Sequence, residues 1–362
     1  MKKCLFYLFA MLCAMSLFSC GDDNGKNEPD PGPGPDNSWK EIAKDYTGDK
    51  LQLKFNGNES ATKTIKLETS SAEKGTVSLG DLIAGVADLK VDVTMKTTKA
   101  EAAVIPNYAL EGTKTVDSRT ISVTGGVISG VLSLNVDVKV ASSIVGKWGL
   151  APDLDTNGDG IINDQDYNMM AGCFFIKLET LKGEVDFGEK TLKDMEFCAF
   201  ADMQAEKFLR ASLQEVSFLE NGNVEFTYIK DGQAKPLAGL VGYYEKDKVV
   251  YMTIDVMAIM GMISSKATEA NTLADLLALA QNGIPLAYQP AEDGKSCQLL
   301  ITKEMATQLI PKLTPLMEIL PTMIPGLKDN PAALAMMQQI GGLLQSIATS
   351  KDFSVGFNLV KK

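Results

Sequence analysis

Asp155, Asn157, Asp159, Gly160, Ile161, Asn163 and Asp166 occupy positions 1, 3, 5, 6, 7, 9 and 12 of one twelve-residue stretch. That is the spacing of a calcium loop, in which a hard cation gathers oxygen donors from alternate positions. Asp155, Asn157 and Asp159 would give side-chain oxygens, Ile161 its main-chain carbonyl, and Asn163 a direct or water-borne contact. Asp166 would close the shell, and Gly160 frees the backbone for the sharp turn. The closing position is usually Glu; the shorter Asp reaches with one oxygen and weakens the site. A solvated Asx/Gly turn in a long connection is the plain alternative. Outside the cell even a site of ~10⁻⁴ M would fill, so Ca²⁺ is expected here as a structural staple.

Strands must hold that loop. Ahead of it Ile144-Val145-Gly146-Lys147-Trp148 reads as a strand, and beyond it residues 213–228 and 241–255 alternate apolar with polar side chains. Turns at Asn221-Gly222 and Lys246-Asp247 make this an up-and-down meander. Leu51–Phe55, Thr64–Leu67, Leu89–Val93 and Val131–Val140 alternate in the same way, with Asn56-Gly57 and Gly125-Gly126 as turns. The character changes near Ala141, which predicts a first β domain over 41–140 and a second over 141–362. After Asp255 the period becomes helical. Thr272 opens a capping box, Thr302 a stretch punctuated by Pro311, Pro315, Pro321 and Pro325, and Asn330-Pro331 a third helix. Phe353–Val360 is again a strand, so a helical insertion is expected over 256–350. The fold class is α+β, mainly β: two antiparallel β domains, the second with a C-terminal helical insertion.

The opening Val145-Gly146-Lys147-Trp148, the strand pair around Glu220-Asn221-Gly222-Asn223 and the earlier Tyr46-Thr47-Gly48 resemble the calycin-like and lipocalin-like domains of uncharacterised Bacteroidetes-type lipoproteins. The resemblance covers most of residues 44–255 and implies two calycin-like β domains. It carries no catalytic set. The twelve-residue loop resembles that of dockerins more than paired EF-hands, since a strand precedes it and no second loop follows, which implies a staple and not a sensor.

Lys2-Lys3, the apolar run from Leu5 to Leu17 and Ser19 before Cys20 read as a lipoprotein signal peptide over residues 1–19. The run is short of the ~20 residues a spanning helix needs. Cys20 would carry the lipid, and two or three acyl chains suffice for stable anchoring in outer-membrane lipid. Residues 20–40 hold that cysteine and a Pro/Gly-rich linker with Pro29, Pro31, Pro33 and Pro35, which cannot bury apolar surface. Cys20 followed by Gly21-Asp22-Asp23 resembles the export signal of Bacteroidetes-type surface lipoproteins. That implies a lipid-anchored outer-membrane protein facing the cell exterior.

Composition closes several routes. The chain has no histidine, so imidazole-based triads, bases and metal sites are excluded. Its formal charge of −11 repels nucleic acid. Past Cys4, Cys13 and Cys20, three cysteines remain, Cys173, Cys198 and Cys297. At most one disulfide can form, with Cys173–Cys198 a candidate beside three buried thiols. Methionines such as Met257, Met305 and Met337 in the insertion suit either an adaptable apolar groove or core filler. The chain therefore reads as a non-enzymatic, lipid-anchored cell-surface protein that binds an apolar small molecule or a surface protein. An accessory glycan-binding lipoprotein of a polysaccharide-uptake system is the alternative, with Tyr243, Tyr244 and Tyr251 as its platform. A hydrolase working by carboxylates alone finds no pair singled out by spacing.

Overall fold

Period-two alternation through residues 44–140 becomes a nine-stranded sheet: β1 (Lys44–Tyr46), β2 (Leu51–Phe55), β3 (Asn58–Glu59), β4 (Ile65–Ser71), β5 (Lys74–Gly80), β6 (Leu89–Thr98), β7 (Asn107–Val116), β8 (Arg119–Ile128) and β9 (Val131–Val140). The computed structural model describes residues 37–60, 64–80, 82–98, 107–152, 172–187, 190–230, 232–254, 282–312 and 343–362. Strand order is β1-β4-β5-β6-β7-β8-β9-β2-β3. One pairing breaks the antiparallel expectation, since β2 lies parallel to β9. Only Thr47 and the 3-10 turn Gly48–Lys50 separate β1 from β2, so the two run the same way and act as one interrupted strand serving both edges. Counted so, the meander has an odd number of strands, and an odd ring cannot be antiparallel throughout.

Gly125-Gly126 is not a turn. Both lie inside β8, where a Cβ on Gly125 would meet the Ser133 carbonyl oxygen at 2.0 Å and one on Gly126 the Tyr108 carbonyl oxygen at 2.3 Å. The reversal falls at Ser129-Gly130, with φ of 50° and 77°, just as Asn56-Gly57, with 48° and 82°, joins β2 to β3.

The second sheet contains β10 (Gly146–Leu150), β11 (Phe174–Glu179), β14 (Leu213–Phe218), β15 (Asn223–Lys230), β16 (Gln233–Lys246), β17 (Val249–Ile254), β18 (Ile284–Pro290), β19 (Ser296–Thr302) and β20 (Asp352–Lys361). A separate hairpin joins β12 (Glu184–Phe187) to β13 (Lys190–Lys193). Because β10 pairs with both β14 and β20, the meander closes into an antiparallel barrel of eight strands. An even number permits that closure. β11 then continues along β20 where β10 stops, Leu150 facing Leu359 and Phe174 facing Phe357. The turn between β16 and β17 is Asp247-Lys248, one residue beyond the expected Lys246-Asp247.

Helices interrupt this barrel: α1 (Asp194–Ser212), α2 (303–312) and α3 (343–349). The expected insertion over 256–350 is corrected by β18 and β19, which lie within it and complete the barrel wall. Thr302 does open a helix, its Oγ1 accepting from the Met305 N–H at 3.4 Å. The helices expected from Thr272 and from Asn330-Pro331 lie outside the described residues, apart from α3.

The two sheets open on one device. Trp148 Nε1 donates to the Ile144 carbonyl at 2.6 Å, and Tyr46 Oη donates to the Ile42 carbonyl at 2.8 Å. Each aromatic sits four residues after a buried isoleucine, and a lysine stands over each ring, Lys361 at 5.4 Å and Lys44 at 5.3 Å. Ser38–Lys362 is one compact unit whose main apolar core runs from Ile42 through Val140 and Ile144 to Leu359. Polar contacts reinforce the joint. Asn56 accepts from the Val138 N–H and donates to the Asn221 carbonyl, and the Val140 N–H reaches the Glu220 carbonyl at 2.6 Å.

Candidate functional site

Residues directly opposed across the ladder share a face. Tracing Trp148, Val216, Phe226, Val224 and Val241 around to Leu359 therefore identifies the inner face of the second barrel. At the end nearer the first sheet this face is closed. Trp148, Phe218, Val224, Tyr243, Tyr288 and Cys297 are each at most 5 % exposed. One layer further along, Leu150, Phe226, Val241, Met252, Leu286 and Phe357 point the same way yet are only half-buried. The first sheet has no such layer on its central strands. There Val91, Val93 and Met95 of β6 and Ile121 and Val123 of β8 are at most 3 % exposed. On this face the central strands of the first sheet are sealed, whereas among the described residues the second barrel keeps a half-buried apolar layer.

Beyond the half-buried layer, helices cover part of the barrel. Phe197 and Cys198 of α1, Ala306 of α2 and Ile347 of α3 pack with Ile176, Leu178 and Phe353, which continue the inner face along β11 and β20. Helix α1 touches β11, β14 and β15, so it lies across that end. Its capping box joins Lys193 to Glu196.

The buried hydroxyls and thiol of the closed end are held neutral, with Lys361, Glu245 and Glu220 close by. Burial pushes the Cys297 thiol up to about 12, although Lys361 pulls it the other way, and burial also raises the Tyr243 and Tyr288 hydroxyls. Polar hydrogens there are already engaged: Tyr243 Oη donates to the Leu219 carbonyl at 2.9 Å, and Tyr288 Oη pairs with Ser143 Oγ at 2.9 Å.

Asp155, Asn157, Asp159, Ile161, Asn163 and Asp166 lie outside the described residues, as does Cys20. What the structure places is the pair of stems on either side of that segment. The Ala151 N–H donates to the Asn358 carbonyl and the Asn358 N–H to the Cys173 carbonyl, both at 2.9 Å. Asn358 Nδ2 donates to the Gly172 carbonyl at 2.5 Å, and its Oδ1 accepts from Gln298. From α1, Arg210 Nη1 donates to the Ala151 carbonyl at 3.0 Å and Glu206 accepts from the Phe174 N–H at 3.4 Å. Ala151 and Gly172 thus lie on one line of the barrel wall, both tied to the same asparagine.

Of the two alternatives left open for the cysteines, the structure shows the second: Cys173, Cys198 and Cys297 are buried thiols with no disulfide between them. The tyrosine platform is absent, because Tyr243 faces inward and Tyr244 is stacked on Tyr251 at 4.8 Å beneath Arg119. Among the described residues no group of three or more acidic or cysteine side chains is arranged to hold a metal, and no helix is long and apolar enough to cross a membrane. The half-buried layer was not foreseen. Its only signal was the apolar alternation of the strands, which a filled barrel shares.

Comparison with family models, with curated proteins and with solved structures returns no match to this chain.

Proposed function

We propose that this is a non-enzymatic, lipid-anchored surface protein whose second barrel binds an apolar small molecule. The observation that carries the reading is the half-buried layer around Phe226, Met252 and Leu286, inward-facing side chains that core packing would have sealed. Cys20 supplies the anchor in outer-membrane lipid, and the Pro/Gly-rich linker holds the barrels away from it. The glycan-binding alternative loses its platform with the burial of Tyr243 and Tyr244.

The test is direct. Protein carrying Cys20→Ser is expected to bind a hydrophobic dye, and Leu286→Arg to reduce that binding at least tenfold while the fold persists by circular dichroism. Unchanged dye binding by the variant would remove the barrel from consideration.

Calcium completes the reading. Asp155, Asp159 and Asp166 crowd one loop, and a cation would relieve their repulsion between stems already fixed by Asn358. Stabilisation follows RT ln(1 + [Ca²⁺]/Kd), about 1.4 kcal/mol at tenfold excess over Kd, or roughly 2 °C in Tm for a unit of this size. Tm is expected to rise in millimolar calcium and fall with chelator, and Asp155→Ala to respond to neither. Wild-type protein melting identically in both buffers would eliminate the assignment.

A further inference from the structure

We draw no further inference here: the strongest candidate, the surface patch of exposed apolar side chains Met195, Phe200 and Phe208 on α1 and Leu181 in the turn before β12, carries nothing because nothing in the structure shows what covers it.

Discussion

Trp148→Ala is expected to destabilise the protein by about 3–5 kcal/mol, the range for truncating a large buried aromatic, and to lower Tm by roughly 4–7 °C. The ring is 1 % exposed in the middle of β10, where one strand closes the barrel by pairing with both β14 and β20. Truncation empties the floor and also leaves the Ile144 carbonyl without its indole donor. Trp148→Phe separates these effects. It retains most of the packing and loses the hydrogen bond, so a cost of about 1–3 kcal/mol is expected. Urea unfolding of both variants provides the check; an alanine variant within 1 kcal/mol of wild type would mean that β10 does not lock the barrel.

That residue also marks how far local sequence reaches. Strands such as β6 and β9 were legible because one face is wet and the other buried, so Leu89, Val91 and Val93 alternate with Lys90 and Asp92. Gly125-Gly126 misled, because a glycine pair signals a turn locally. Here it is required by the approach of β7 and β9 on either side, which is a long-range fact. Helix α1 escaped notice because its apolar residues do not form one stripe. Phe197 is 2 % exposed, while Met195 and Phe208 are 73 % and 70 % exposed. In β18, Pro285 stands opposite Tyr251 in a short strand, inside the span expected to be a helical insertion.

The candidate site was legible only in part. Calcium spacing is a local pattern and could be read residue by residue, but that its stems would meet at Asn358 depends on a partner almost two hundred positions away. The accessible layer was beyond local reading. Met95 and Met252 both sit at inward positions of alternating strands, yet Met95 is 2 % exposed and Met252 is half-buried. Whether a barrel is filled is set by the sum of inward volumes around the ring, and no single strand contains that sum.

The contact of Arg119 with Tyr244 across the two sheets leads to a last expectation, that Arg119→Ala will split one unfolding transition into two. Arg119 lies at the β7–β8 turn, 2 % exposed, with Nη1 donating to the Ala84 carbonyl at 2.7 Å and Nη2 3.2 Å from Asp117. Its guanidinium lies 4.4 Å from the centroid of Tyr244 on β16, whose hydroxyl donates to the Asn282 carbonyl. Burial pulls the Arg119 pKa down while Asp117 opposes it. Removing one partner of a buried ion pair costs about 3–5 kcal/mol. The Asp117 side chain is 20 % exposed and keeps some water, so the lower end, about 3 kcal/mol, applies here. That loss falls mainly on the first sheet, which holds both Ala84 and Asp117, while at the joint Tyr244 loses its cover, so the first sheet is expected to unfold ahead of the second barrel. Arg119→Lys should be intermediate, since an ammonium retains charge but cannot bond Ala84 and Asp117 in one plane while stacking on the ring. Calorimetry is expected to give a single endotherm for wild type and two for the alanine variant. A single endotherm at the wild-type temperature would mean that the shared apolar core around Val140 and Ile144 couples the sheets without Arg119.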